Sequence, residues 1–207
     1  MNRISLFSLI ALAAAGAALG PASAARAADD NKDKTVTTTR SGTYTTSKGG
    51  SGTTSSTTTR SNGNVNRQGT WTNANGGTGS FQAQRNWNKS TGTATFNGSA
   101  TRPNGATTSW QGTAVRNGPG SISASGTLTT AKGKQDTFTS TDTKVAPGQW
   151  DKQEVITTAS GKTIDRSVDT TVVDGKGTRT VTTTLPNGQT VTRDANFNQT
   201  VIVTPNN

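Results

Sequence analysis

A chain of 207 residues with 21 Lys and Arg against 11 Asp and Glu carries a formal charge of +10, and it contains neither cysteine nor histidine. Those two absences exclude disulfide staples, the usual transition-metal ligands and any nucleophile that relies on an imidazole base. Only 28% of the residues are hydrophobic, against roughly 45–50% in ordinary domains on a similar count that includes glycine.

The first element has the layout of a secretory signal. Arg3 supplies the positive charge, Ile4 to Gly20 is an uncharged run rich in Leu, Ile and Ala, and Ala22-Ser23-Ala24 and Ala25-Arg26-Ala27 are small-x-small cleavage patterns. A spanning helix needs about 20 strongly apolar residues, and this run is shorter and dominated by Ala and Gly. Cleavage after Ala27 makes residues 1–27 a signal peptide and leaves a mature chain with no transmembrane helix. The expected location is outside the cytoplasm: periplasm, cell surface or extracellular space. The signal holds much of the aliphatic content, so the mature chain has a thin core with which to offset a backbone entropy of roughly 1–2 kcal/mol per ordered residue.

Residues 28–145 form a basic, Thr/Gly/Asn-rich section. Between Lys34 and Gln135 eleven Lys and Arg meet no acidic residue, and the apolar content is carried by isolated aromatics: Tyr44, Trp71, Phe81, Trp87, Phe96 and Trp110. After the joint at Ala146-Pro147-Gly148-Gln149, residues 146–207 are balanced in charge and richer in Val and Ile. Turn signals run through both sections. Asn-Gly occurs at 62–63, 75–76, 97–98, 104–105, 117–118 and 187–188, and Asp174-Gly175 adds a site of the same kind. Both residues of such a pair tolerate the positive φ of a type I′ hairpin turn. Further turns are expected at Lys48-Gly49-Gly50, Lys132-Gly133-Lys134 and Ser160-Gly161-Lys162. The Thr/Val runs between them alternate with the period of a half-buried strand, and no window after the signal has helical spacing.

Gly-Thr-x-Thr recurs at Gly42, Gly69, Gly92, Gly126 and Gly177, and Pro-Asn-Gly-x-Thr at Pro103 and Pro186. The copies are unevenly spaced, which disfavours the constant rung of a solenoid. In these turn-and-Thr motifs the chain resembles the Thr/Asn/Gly-rich repetitive exported proteins of bacteria, a resemblance of composition over most of the mature chain. The expected fold class is all-β: an antiparallel meander of short hairpins, extended or thin-cored, with partial disorder left open.

The acid-free section with interleaved aromatics has the composition of a polyanion-binding surface. The residues expected to make it are Arg60, Arg67, Arg85, Lys89, Arg102 and Arg116, with Trp71, Trp87 and Trp110 as aromatic contacts. The partners within reach of an exported protein are anionic polysaccharide, lipopolysaccharide and extracellular DNA. Ser160-Gly161-Lys162-Thr163 ends like a phosphate-binding loop but lacks the opening glycine, since Ile156 stands there. The sequence offers no metal or cofactor motif. The expected function is therefore a non-enzymatic structural or adhesive protein of the envelope or extracellular matrix. The alternative is a secreted carbohydrate-active hydrolase using the carboxylate pair Asp151/Glu154 or Asp165/Asp169.

Overall fold

A computed structural model describes residues 34–205; the expected signal peptide and its cleavage site lie outside the described residues. Period-two alternation continues through almost every segment, and it produces twelve strands: β1 (Lys34–Thr46), β2 (Ser51–Ser61), β3 (Asn64–Asn73), β4 (Thr78–Asn88), β5 (Thr93–Thr101), β6 (Thr107–Gly118), β7 (Ser121–Thr129), β8 (Gln135–Ala146), β9 (Gln149–Thr157), β10 (Thr163–Val173), β11 (Lys176–Thr184) and β12 (Thr190–Pro205). Each pairs antiparallel with the next. β1 then pairs with β12 from Lys34↔Pro205 to Thr46↔Arg193, closing the sheet into a barrel.

Closure corrects the expectation of an open, thin-cored meander. A barrel needs apolar or bulky groups only at the inward half of its strand positions, so a sequence poor in aliphatics can still fill one. Twelve strands enclose more space than the eight that short side chains fill, and long inward residues occupy it: Trp71, Phe96, Trp110, Phe138, Trp150 and several arginines. Inward glycines make room for the rings. Gly52 lies opposite Tyr44, Gly69 opposite Phe81, Gly79 opposite Trp71, Gly98 opposite Trp110, Gly112 opposite Phe96, Gly126 opposite Phe138 and Gly177 opposite Phe197. A Cβ at any of these glycines would overlap the facing ring. In the copies at Gly42, Gly69, Gly126 and Gly177 the Gly-Thr-x-Thr motif thus reads as glycine in, threonine out, large residue in, threonine out, whereas Gly92 lies in a turn.

The turns fall into two sets, one at each end of the barrel. The turns after β1, β3, β5, β7, β9 and β11 share one hydrogen-bond pattern, exemplified by Thr46 N–H donating to Gly50 O and Gly49 N–H donating to Thr46 O. Their glycines, Gly49, Gly76, Gly105, Gly133, Gly161 and Gly188, all have φ between 74° and 79° and recur every 27–29 residues. This is the three-residue hairpin loop with a glycine in the left-handed region. At the other end, Asn62-Gly63 and Asp174-Gly175 have positive φ at both positions, as a type I′ turn demands. Asn97-Gly98, read as a turn, lies inside β5 instead, where Gly98 faces the Trp110 ring.

The outer wall is hydroxyl and amide. Outward strand positions from β1 through β8 are Thr, Ser, Asn and Gln, with Val115 and Val145 the exceptions. β9–β12 add Asp151, Asp165, Asp169, Lys176 and Asp194. A membrane barrel presents an outward apolar band about 25 Å tall, and this wall is the reverse, suited to water. Among the described residues no helix is long and apolar enough to cross a membrane.

Candidate functional site: an arginine-lined lumen

Alternation that puts threonine outside puts the cations inside. Arg40, Arg60, Arg67, Arg85, Lys152, Arg166, Arg179 and Arg193 all hold inward positions on their strands. Among the described residues Asp142 and Glu154 are the carboxylates buried at inward strand positions; Asp136, of the same parity, sits half-buried at the rim end of β8, where it accepts from Ala159 N–H. Away from the rims, the lumen therefore sets these eight cationic side chains against the two acids Asp142 and Glu154.

Glu154 is the best-paired of these groups. It lies directly across from Arg166 in the β9–β10 register, and its Oε2 is 2.6 Å from Lys152 Nζ and 3.7 Å from Arg166 Nη1. Burial pushes its carboxyl up, but Lys152 and Arg166 pull it further down, so it sits below the ordinary carboxylate range. Asp142, across from Lys152, fares differently. Burial raises it to about 6 against the opposing pull of Lys152, Arg179 and Arg85, and its Oδ1 is buried without a protein partner. The difference is contact: Glu154 touches its cations, whereas Asp142 only feels them.

The arginines are held mostly by neutral groups. Arg40 Nε donates to Gln199 Oε1 at 2.7 Å, Arg179 Nε to Thr170 Oγ1 at 3.1 Å and Arg60 Nη1 to Thr38 Oγ1 at 3.4 Å. Aromatic faces take others: Arg40 lies over Phe197, Arg67 over Phe81 and Arg193 over Tyr44, at 5.1, 5.4 and 3.8 Å from the ring centroids. Arg85 has two buried nitrogens, Nε and Nη1, with no protein partner. Burial lowers Arg40 and Arg60 to about 10 and Arg179 to about 9. After burial the next cause in both Arg67 and Arg179 is other guanidinium groups: Arg179, Arg40 and Arg60 on Arg67, and Arg40 and Arg166 on Arg179. A guanidinium lowered this far is still charged at neutral pH, so the lumen holds mutually repelling charge.

Five of these arginines, Arg40, Arg67, Arg166, Arg179 and Arg193, line a single internal cavity of about 100 Å³ with Trp71, Phe81, Val181, Ala195 and Phe197. No carboxylate is among the described residues that line it. The elements that build it come from both ends of the chain, β1–β4 and β10–β12, joined by the β1–β12 closure.

The residues singled out from sequence are divided among three places. Arg60, Arg67 and Arg85 point into the lumen, where Trp71 and Trp110 are also buried. Lys89 and Arg102 lie in turns at opposite ends, Lys89 exposed and Arg102 half-buried. Arg116, at the end of β6, stacks over Trp87 at 5.1 Å. These residues do not form one outer surface. Asp151 and Glu154 lie on opposite faces of β9, and Asp165 and Asp169 are exposed on the outer face of β10, so neither pair flanks a cleft. Sequence reasoning missed Arg40, Arg166, Arg179 and Arg193. Their signal was parity: each sits at an odd number of residues from the outward threonines beside it. No protein-family model matches the chain, and comparison with curated proteins finds no similar sequence.

Proposed function

We propose that this chain is an exported, non-catalytic binding protein that holds small anions inside its barrel. The observation that carries the reading is the cavity lined, among the described residues, by five arginines and no carboxylate. Buried charge is costly unless paired; Arg40 and Arg193 have no carboxylate beside them among the described residues, and an anion is the group that would pair them. Export rests on the signal-like residues 1–27, and a hydroxyl- and amide-rich wall suits an aqueous compartment. The reading keeps the anionic partner expected from composition and changes its size. A polysaccharide or DNA cannot reach Arg60, Arg67 or Arg85 through the wall. The exposed turn lysines that could meet a polymer, Lys48, Lys89, Lys132, Lys134 and Lys162, are spread over both rims.

Thermal melting of the purified protein in a buffer whose own anion is too bulky for the lumen tests the proposal. Added chloride, nitrate, acetate, sulfate or phosphate should include at least one that raises Tm saturably; an anion at 100 times its Kd adds about 2.7 kcal/mol. A heparin-like polymer at equal charge concentration should not match it. A Tm blind to anion identity, or a larger response to the polymer, would sink the reading.

A further inference from the structure

The cavity is specific enough in size and charge to indicate which anion it takes. We infer that the Arg40–Arg67–Arg166–Arg179–Arg193 cavity is a site for one compact, doubly charged tetrahedral oxyanion of the sulfate or phosphate class. This inference rests on the lumen being an anion-binding site at all and narrows it to a ligand class.

Size is the first argument. A cavity of about 100 Å³ corresponds to about three water molecules at ~30 Å³ each. One central atom with four oxygens fits such a space; a nucleotide or a sulfated sugar does not. Charge is the second. Of the five lining cations, Arg166 has a carboxylate neighbour in Glu154, which already carries a hydrogen bond from Lys152. Asp142 acts on Arg179 but also on Arg85 and Lys152. Arg40 and Arg193 have no carboxylate neighbour among the described residues, and their two charges are more than one chloride or carboxylate balances. Donor geometry is the third. The guanidinium fork matches the oxygen pairs of phosphate and sulfate, giving two parallel N–H···O bonds. Arg40 and Arg179 spend their Nε–H on Gln199 and Thr170, which leaves their terminal nitrogens for such an acceptor. Stacking on Phe197, Phe81 and Tyr44 fixes the planes of Arg40, Arg67 and Arg193 before any ligand arrives, so little side-chain entropy is left to lose on binding.

The test uses the whole mature protein, prepared without sulfate or phosphate. Equilibrium dialysis against radiolabelled sulfate and phosphate, in excess chloride, should give one bound oxyanion per chain. Melting curves at constant ionic strength should show a saturable rise in Tm with sulfate or phosphate, and a much weaker one with chloride or acetate. The double variant Arg67→Met/Arg179→Met should lose at least tenfold in oxyanion affinity, while Arg102→Met, in the β5–β6 turn, should bind as the parent does. Chloride or acetate matching sulfate would overturn the oxyanion class and leave the general anion reading standing. So would a sulfated disaccharide competing as well as sulfate. No response to any anion would overturn both. If the double variant does not fold, the dialysis stoichiometry on the parent protein decides: no oxyanion retained against chloride refutes the site.

Discussion

One side of the barrel is filled with rings and small aliphatics, the other with guanidinium groups. From β3 through β9 the apolar inward residues form one cluster, including Trp71, Phe96, Ala100, Trp110, Leu128, Phe138 and Ile156, with Arg85, Asp142, Lys152 and Glu154 the charged groups set into that side. From β10 through β12 and on into β1–β3, inward positions go to Arg166, Arg179, Arg193, Arg40, Arg60 and Arg67. The backbone is the same on both sides: antiparallel pairing, equal alternation, the same hairpin turn at every second corner. The fold is thus indifferent to what fills the lumen so long as the inward residues are long, or are glycines facing long ones. One half can supply stability while the other supplies chemistry.

The largest test of that division is Trp110→Ala. Trp110 is 3% exposed and its ring covers Gly98, which has no side chain to fill the void. Truncating a buried Trp costs roughly 3–5 kcal/mol, and urea denaturation should show a loss of that order. A loss under 1 kcal/mol would mean that the apolar side does not hold the barrel together.

An intermediate effect is expected where the two sides meet, at Asp142. Its carboxyl rises from an ordinary 3.8 to about 6 because burial outweighs Lys152, Arg179 and Arg85. Between those values the folded chain binds more protons than the unfolded one, so stability falls as pH rises from about 4 to 6. The full change is roughly 2–3 kcal/mol at about 1.4 kcal/mol per unit. Glu154 is lowered rather than raised, so above pH 4.5 the slope belongs to Asp142. Denaturation midpoints at pH 4.5 and 7 should differ in this direction for the parent and not for Asp142→Asn. Equal slopes in the two proteins would show that the two acids are not distinguished by contact.

Most strands and turns could be read directly from sequence, because Thr alternation and turn glycines are local signals. The two turns with positive φ at both positions, at Asn62 and Asp174, follow from residue type alone. The repeat was also present, but in the glycine of every second turn rather than in Gly-Thr-x-Thr, whose copies fall on strands of both directions. Closure and the lumen were not legible. The charge boundary near Ala146 falls within one sheet, and the arginine cavity joins Arg40 and Arg67 to Arg166, Arg179 and Arg193 only because β1 pairs with β12. Nothing local marks that pairing. Arginine also misled by its usual habit: it is mostly exposed in folded proteins, and here the outer positions are taken by hydroxyls and amides.

The smallest expected effect is the most telling about the arginine side. Arg179 is the lumen cation that repels Arg40 and Arg166 and is itself pushed down to about 9 by burial and by them. Arg179→Met keeps the length of the side chain, removes one buried charge and relieves that repulsion. Replacing buried charge by an apolar group of similar volume is often neutral or stabilising. Against this, Thr170, also buried, loses the hydrogen bond from Arg179 Nε, a cost of about 1 kcal/mol. The two nearly cancel, so in an anion-free buffer the variant should lie within about 1 kcal/mol of the parent, on either side. Had the guanidinium groups been placed for stability, removing one would cost the 3–5 kcal/mol typical of breaking a buried pair, and the variant would melt as early as Trp110→Ala. Urea curves of the two variants in the same buffer separate these outcomes, and a steep loss in Arg179→Met would mean that the cations hold the barrel rather than a ligand.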